Sequence, residues 1–199
     1  MPPSQPERAH ATQLQLISTA RRLFGERGYA DVPAEEIVAA AGLTRGALYH
    51  HYADKRALFE AVFEQLESDI ADEIAAATLA PAADGDGIAG IAASLDAFLD
   101  ICQRPEVLRI GLTDAPAVLG WARWREIETE HGLGLIAAQL GDLAAAGQLV
   151  EAPIQTLAQI ALSAVIEAAL IIANAHDQQG ARRDAQSALL ALLAGMLRL

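Results

Sequence analysis

The sequence has a single cysteine, Cys102, and few aromatic residues. A single thiol excludes an intrachain disulfide and fits a reducing compartment. Aromatic residues make up 5% of the 199 residues and hydrophobic residues 53%, so the core consists mainly of Ala, Leu and Ile. This composition favours helices, and no segment alternates polar and apolar residues as a half-buried strand would. We therefore expect an all-α protein of about nine helices.

The motifs of common enzymes are missing as well. The sequence has no Gly-x-Ser-x-Gly elbow, no Gly-x-x-x-x-Gly-Lys loop and no cysteine pair for zinc. His50 and His51 are adjacent on a predicted helix and diverge by about 100°, so they cannot chelate one ion together. Glu128 and His131 have the spacing of a carboxylate-bridged metal site, but a solvated helix face is the preferred interpretation without a second such pair. We expect no catalysis, no cofactor and no metal.

Positive charge is scarce overall, since the chain carries a net charge of −12. The charge is unevenly distributed: residues 1–56 have seven Lys or Arg against six acids, and residues 57–199 have seven against twenty. The acidic excess therefore belongs to the larger C-terminal part. The small N-terminal domain is close to neutral, so its Lys and Arg side chains can cluster and bind an anionic partner.

Residues 42–56 combine the end of one helix with the start of another. Gly42 can end a helix with positive φ, and Thr44 is a good N-cap for a helix that begins at Arg45. Such a short connection between two helices predicts a helix-turn-helix.

The second helix of this unit has two different faces. Helical spacing places Leu48 and Tyr52 on a packing side and Gly46, Tyr49 and His50 on an outward side. Glycine costs about 1 kcal/mol relative to alanine in a helix, so Gly46 needs a reason, and close approach of the backbone to a DNA groove supplies one.

Side chains around this face suit duplex DNA. Tyr49 and His50 offer hydrogen-bonding tips to phosphate oxygens, while Arg45 can reach either a phosphate or a guanine edge. Lys55 begins the next helix, where its charge is unfavourable next to the helix dipole unless an anion such as phosphate lies nearby.

These residues resemble the N-terminal domain of TetR-family transcriptional regulators over about 50 positions. The similarity is carried by Ala20 to Tyr29, Glu36 and Ile37, Ala41 to Lys55, and Leu58 and Phe59. The resemblance implies an all-helical homodimer with a DNA-binding domain, a larger domain with an inducer cavity, and repression relieved by a small molecule. The positions that match DNA contacts of the family are Thr44, Arg45, Ala47, Tyr49, His50 and Lys55.

Two positions depart from the family pattern. Val32 and Pro33 stand where the family usually opens its second helix with Ser or Thr, so Asp31 is the capping residue expected instead. Val38 occupies a position that often holds alanine, which predicts a slightly wider crossing of the two helices.

The predicted layout has three parts: a flexible arm at 1–11, a helix-turn-helix domain at 12–56, and a ligand-binding and dimerisation domain at 57–199. Helices are expected near 12–27, 34–41, 45–51, 55–79, 88–102, 105–114, 117 onwards with interruptions at Gly132 and Gly134, 153–177 and 182–198. Pro81 to Gly87 is the clearest predicted loop.

Several residues of the larger domain are candidates for a ligand site. Trp121, Trp124 and Arg125 can share one helix face, although paired tryptophans equally fit simple packing. Cys102 is predicted as a small core residue rather than a sensor thiol, and Asp114 as a helix cap rather than a ligand group. Glu167 interrupts an apolar run and must face the cavity, a dimer interface or solvent. The candidate ligand-binding residues are Phe98, Cys102, Asp114, Trp121, Trp124, Arg125 and Glu167.

This lining predicts a largely apolar or aromatic effector, and a cationic one if Asp114 or Glu167 faces inward.

The last two predicted helices are apolar on more than one face. Each has to bury a second face outside its own domain, which predicts a four-helix interface between two chains. The candidate interface residues are Ile160, Ala164, Ile171, Leu189, Leu193 and Met196. A membrane span over 157–173 is disfavoured, because that run is short and contains Gln159 and Glu167.

These features predict a cytoplasmic transcriptional repressor, located at the nucleoid when bound, whose partners are a double-stranded palindromic operator, a small-molecule effector and a second copy of the chain. The polar, Pro-rich N-terminus lacks the apolar segment of a signal peptide. The alternative is a helical ligand-binding or scaffold protein with a vestigial helix-turn-helix, favoured by the missing capping hydroxyl and the modest positive charge.

Overall fold

A computed structural model describes residues 4–78 and 87–198 of the chain. Within these ranges the chain is all-α, as predicted, with nine α-helices, one π-helical segment and no strand. The helices are α1 (Gln5–Arg27), α2 (Ala34–Ala40), α3 (Arg45–His51), α4 (Lys55–Thr78), α5 (Gly87–Ile101), the π-helix (Val107–Asp114), α6 (Ala115–Leu119), α7 (Trp121–Ala145), α8 (Ile154–Asn174) and α9 (Gln178–Met196).

The chain divides into two compact units. The first unit comprises Met1–Leu66 and Pro105–Trp124, and the second comprises Glu67–Arg104 and Arg125–Leu199. The sequence predicted a simpler division at residue 56. The difference arises because the first half of α4 and the whole segment 105–124 pack with the helix-turn-helix.

Helix α1 begins at Gln5, earlier than predicted, so residues 5–11 of the expected flexible arm are helical. The reason is a capping box: the Ser4 hydroxyl accepts from the Glu7 N–H, and the Glu7 carboxylate accepts from the Ser4 N–H at 2.5 Å. This pair satisfies two backbone groups that a helix start otherwise leaves unpaired.

Three aromatic rings join α1, its following loop and α4 in the first unit. The ring centroid of Phe24 lies 5.3 Å from that of Phe59, and Tyr29 lies 5.0 Å from Phe59 in an edge-on arrangement. Phe24 and Phe59 are fully buried, as are Leu16 and Leu58. These contacts hold the helix-turn-helix on the first half of α4.

The segment 105–124 is fixed to α1 by polar contacts. Arg21 binds the Glu106 carboxylate through two nitrogens at 2.9 and 3.1 Å, and the carboxylate of Asp114 accepts from the Tyr29 N–H at 2.7 Å. Asp114 was predicted to cap the next helix, but its side chain makes no capping bond there. The Asp114 carboxylate accepts the Tyr29 N–H instead.

In the second unit, α7 runs without a break, so the predicted interruptions at Gly132 and Gly134 are wrong. Gly132 instead marks a close approach of α7 to α8: a Cβ built there would lie 2.9 Å from Cδ1 of Leu162. Gly134 has open space around it. The predicted loop Pro81–Gly87 lies, apart from Gly87, outside the described residues.

Helix α8 is the one helix in the described part of the chain that is long and apolar enough to cross a membrane by length and composition, with a mean hydropathy of 2.0. Core helices of globular domains pass the same test. Here α8 buries six residues: Ala158, Leu162, Ile166, Ala168, Ala169 and Ile172. Two of them, Ala168 and Ile172, pack with Leu95, Leu99, Ala185 and Leu189 of α5 and α9.

The two glycines of α7 provide a matched test of this packing. Gly134→Ala should stabilise the fold by about 0.5–1 kcal/mol, because alanine is the better helix former. Gly132→Ala should add about 1 kcal/mol less stability than Gly134→Ala, or should destabilise the fold, because the new Cβ forces Leu162 to move. Urea unfolding at a fixed protein concentration measures both, and equal effects of the two substitutions would contradict the close approach.

Candidate DNA-binding surface and ligand cavity

The turn between α2 and α3 has the geometry that the sequence predicted. Gly42 has a φ of +63°, a conformation that side chains with a Cβ rarely adopt. The Leu43 N–H donates to the Val38 carbonyl at 2.8 Å, which closes the end of α2. The Thr44 hydroxyl then accepts from the Ala47 N–H at 3.2 Å and caps α3.

The start of α2 is different from the prediction, because Pro33 occupies the cap position without a side-chain bond and Asp31 does not cap the helix. Helix α2 is instead held by Arg27, whose guanidinium contacts the Glu36 carboxylate at 2.6 Å. Gln15 of α1 also donates to the Ala41 carbonyl at 2.7 Å. These contacts fix α2 against α1 despite the missing capping hydroxyl.

The two faces of α3 are as predicted. Leu48 is fully buried and Tyr52 nearly so, whereas Arg45, Gly46, Tyr49 and His50 are exposed. A Cβ at Gly46 would meet nothing closer than the Thr44 hydroxyl at 3.7 Å. Packing within the described part of the chain therefore does not require this glycine.

Arg45 lies across the outward face. Its guanidinium is 3.2 Å from the Glu35 carboxylate and 5.5 Å from the centre of the Tyr49 ring. Both members of this ion pair are well exposed, and such pairs contribute only about 0–1 kcal/mol. A phosphate or a guanine edge can therefore replace Glu35 at little cost.

Lys55 has a structural role that sequence reasoning missed. Its ammonium donates to the carbonyls of Tyr29 and Val32 at 2.8 and 3.0 Å and lies 3.9 Å from the centre of the Tyr29 ring. Partial burial lowers the pKa of Lys55. Two of its three N–H groups are thus engaged in holding the loop before α2, and one is left for a phosphate.

A cavity of about 230 Å³ lies within the second unit. Its wall is mainly aliphatic and comes from α4, α5, α7, α8 and α9. Apolar lining residues include Ile70, Ile74, Leu95, Phe98, Leu135, Ile136, Leu140, Leu162, Val165, Leu193 and Met196. Such an apolar, concave wall with few polar groups is typical of a small-molecule site.

Five polar side chains also line the cavity: Glu67, Ser94, Glu128, His131 and Gln139. The Gln139 amide donates to the Ser94 hydroxyl at 2.8 Å, and that hydroxyl donates to the Gly90 carbonyl at 2.9 Å. Glu67 and Glu128 differ from this pair, since neither carboxylate has a hydrogen-bond partner within the described ranges.

Burial dominates the ionisation of both carboxyl groups. It raises the pKa of Glu128 to about 7, although the positive charge of Arg125 acts in the opposite direction. Burial also raises the pKa of Glu67 well above its usual value, and the charge of Glu128 adds to this. The interpretation of Glu128 as part of a solvated helix face is wrong, because the residue is only 7% exposed.

The candidate ligand residues are scattered, and of the seven only Phe98 lines the cavity. Cys102 is buried, and burial raises the pKa of its thiol. Arg125 donates to the Ser163 hydroxyl at 2.6 Å, and Glu167 is exposed. In the first unit, Asp114 binds the Tyr29 amide, Trp124 is fully buried, and Trp121 is 65% exposed beside it.

The candidate interface residues also fall into separate groups. Ile160 and Ile171 of α8 are 60% and 52% exposed. Ala164, Leu193 and Met196 are partly buried and line the cavity, as does Ile160. Leu189 is buried in the chain's own core. Leu190 and Leu192 of α9 are further exposed apolar side chains, outside the set of candidate interface residues.

The fold and the exposed face of α3 define the class as a helix-turn-helix DNA-binding regulator with a larger helical C-terminal domain. Residues 16–62 match the family model "Bacterial regulatory proteins, tetR family", and residues 88–196 match "Tetracyclin repressor-like, C-terminal domain". The chain therefore belongs to the TetR family of transcriptional regulators, as the resemblance indicated.

Individual relatives agree with this assignment. A solved structure of a TetR-family transcriptional regulator from Pectobacterium atrosepticum is 34% identical, with a TM-score of 0.87 over 99% of each chain. The Transposon Tn10 TetC protein of Escherichia coli is 28% identical over 73% of this chain and 72% of its own length. The HTH-type transcriptional repressor Rv1474c of Mycobacterium tuberculosis is 30% identical over 61% of this chain and 63% of its own.

Family membership also settles two broader expectations. The family consists of transcriptional regulators, so the prediction that the chain is not an enzyme is confirmed. It also favours the regulator over the scaffold alternative.

Burial of Glu128 predicts a measurable pH dependence of stability. Its pKa is about 7 in the folded chain against 4.5 for the free side chain, so the folded state holds more protons between these values. Stability then falls as pH rises through this window. Glu128→Gln should remove this loss and be more stable than the native chain by up to about 3 kcal/mol at pH 8, with little advantage at pH 4.5.

Urea unfolding at several pH values, at one protein concentration, measures this effect. Glu126→Gln, an exposed position on the same helix, is the matched control and should leave the pH profile unchanged. A native profile that is flat between pH 4.5 and 8 would contradict the burial of an ionisable Glu128.

Proposed function

We propose that this protein is a repressor that binds a palindromic operator as a homodimer and releases it when a small, largely apolar ligand fills the cavity. The observation that carries the DNA half of the proposal is the outward face of α3. Arg45, Gly46, Tyr49 and His50 are exposed together, although their chain neighbours Leu48 and Tyr52 are buried.

Within this proposal the roles of the residues follow from their placement. Thr44, Tyr49 and His50 contact phosphate oxygens, Arg45 contacts a phosphate or a guanine edge, and the N-terminal turn with Gly46 and Ala47 comes close to the groove. Lys55 acts mainly by holding the loop at Tyr29 and Val32. A contact of its remaining N–H with phosphate is the secondary role.

Helix α4 is the candidate route from ligand to DNA. It contributes Lys55–Leu66 to the first unit and Glu67–Thr78 to the second, and Glu67, Ile70, Ala71 and Ile74 line the cavity. A ligand that prefers one of two positions of α4 by about 2–4 kcal/mol would change operator occupancy about 30-fold to 1000-fold. The proposed place of action is the cytoplasm, at the nucleoid when bound to DNA.

The experiment that tests the DNA proposal is selection of bound fragments from random duplexes, followed by sequencing. A homodimer should select a palindrome whose half-sites are about 34 Å apart, or a multiple of that distance. Selection of fragments without two-fold symmetry would contradict the dimeric repressor.

Substitutions on α3 then separate base reading from phosphate contact. Arg45→Ala should weaken operator binding by about 1–3 kcal/mol, and it should relax the preference at one base position if the side chain reads a base. Arg22→Ala is the matched control, because it removes one exposed positive charge from α1. Fluorescence anisotropy on operator variants measures both, and equal small losses for the two proteins would contradict a role for Arg45.

Gly46→Ala tests the close approach of the backbone. The open space around Gly46 predicts a folded and slightly more stable protein, because alanine is the better helix former. Duplex binding should nevertheless fall about tenfold, since the new methyl group stands between α3 and the groove. Unchanged affinity in the folded variant would show that the backbone does not approach DNA there.

The proposed dimer interface lies on the exposed apolar side of α8 and α9, where Ile171, Leu190 and Leu192 are uncovered. Ile171→Glu should shift the chain from dimer to monomer, because the carboxylate would be desolvated in the interface. Leu14→Glu, on a similarly exposed apolar residue of α1, should leave the mass unchanged. Light scattering at micromolar concentration measures both, and a monomer mass for the native chain would refute this interface.

A further inference from the structure

The two acidic side chains in the cavity are in an unusual position for carboxylates. Glu128 is only 7% exposed and Glu67 is half-buried, and the wall around them is mostly aliphatic. Buried carboxylates normally receive hydrogen bonds or an ion pair, because an isolated charge in apolar surroundings is costly. Neither group has a hydrogen-bond partner within 4–78 and 87–198.

Three other ionisable groups lie near this pair. The Cys102 thiol follows directly after α5, and its pKa is raised by burial and by the two carboxylates. Helix α7 provides His131 at the cavity and Arg125, whose guanidinium donates to Ser163. The lining residues of α8 and α9 are all apolar. The cavity therefore combines an apolar body with one acidic end formed by α4 and α7.

The apolar wall and the acidic end together indicate which class of ligand the cavity can bind. A carboxylate ligand would be repelled once either carboxyl group is ionised, while an apolar ligand without hydrogen-bonding groups would leave both carboxyl groups without partners. No group of three or more metal-binding side chains occurs among the described residues, so a metal ion lacks a ligand set. An organic cation supplies both charge and N–H donors.

We propose that the cavity binds a small hydrophobic amine in its ammonium form, with the nitrogen between Glu67 and Glu128 and the apolar body against the aliphatic wall near Phe98. This inference rests on the proposed ligand-responsive function and names the class of its effector. The volume of about 230 Å³ is below the usual range of drug-sized sites, which indicates a small compound.

Binding of the ammonium also moves protons. In the empty cavity the pKa of Glu128, raised to about 7, leaves this carboxyl group partly protonated near neutral pH, and burial raises the pKa of Glu67 as well. The bound cation favours the ionised carboxylates, so these protons are released to solvent, while the amine keeps its own proton. Affinity for the amine therefore rises as pH increases through about 7 and falls below it.

Three probes with one carbon skeleton test the charge preference: 4-phenylbutylammonium, 4-phenyl-1-butanol and 4-phenylbutyrate. Isothermal titration calorimetry on the full chain at pH 8 should give the ammonium an affinity at least about tenfold above that of the alcohol, with the carboxylate weakest. Repeating the ammonium titration at pH 7, where Glu128 is partly protonated in the empty cavity, in two buffers of different ionisation enthalpy should show net proton release. An alcohol that binds as tightly as the ammonium, or no binding of the ammonium, overturns the proposal.

Substitutions assign the preference to the pair. Glu128→Gln and Glu67→Gln keep the size of the side chain and should each reduce the preference for ammonium over alcohol about tenfold, while alcohol binding stays unchanged. Glu126→Gln, exposed on α7, should retain the preference. A preference that survives both cavity substitutions overturns the proposal.

Operator release is measured separately, by adding the ammonium to the protein–DNA complex. Binding of the ammonium without release of DNA would contradict the proposed function and leave the ligand class standing. Release by an uncharged compound that binds more tightly than the ammonium would contradict the ligand class alone.

Discussion

The placement of Glu67 and Glu128 in an apolar cavity is the constraint on which the ligand-binding part of this protein depends. A carboxylate at such a site has two states of low free energy: it stays protonated, or it meets a cation. Burial raises the pKa of both groups, that of Glu128 to about 7, so ionisation of Glu128 lowers the stability of the empty protein as pH rises towards and above 7. An aliphatic pair would fill the same space without this loss of stability. We infer that binding a cation is the reason for the two acids.

The first unit uses charged groups differently, because several of them are paired with the backbone or with each other. Arg21, Arg27 and Lys55 fix α1, the loop before α2 and the segment 105–124. This leaves α3 with a rigid support and an exposed face that has no packing function within the chain. The TetR-family assignment makes DNA the partner that we propose for that face, while α4 supplies residues to both the first unit and the cavity.

The helix-turn-helix was predictable from the sequence because local rules determine it. Gly42 has the positive φ and Thr44 makes the capping bond that their residue types indicate. The role of Lys55 was not predictable, because its carbonyl partners are 23 and 26 residues away in the chain. A cavity in the larger domain was expected from the resemblance, but most of its lining was missed for the same reason. Glu128 lies three residues from His131 on a helix with no clear apolar stripe, and the cavity wall is assembled from five helices that are far apart in the chain. Trp121 and Trp124 were attractive as residue types but belong to the first unit.

Direct titration of the cavity carboxyl groups tests whether burial raises their pKa values and whether a bound cation lowers them again. With glutamate side chains labelled with carbon-13, NMR signals of Glu67 and Glu128, assigned through the two Gln variants, report ionisation of each group. Glu128 should titrate with a pKa of about 7 in the ligand-free protein, and 4-phenylbutylammonium should lower this pKa. Titration near 4.5 in the ligand-free protein, or a value that the ammonium leaves unchanged, would contradict this account.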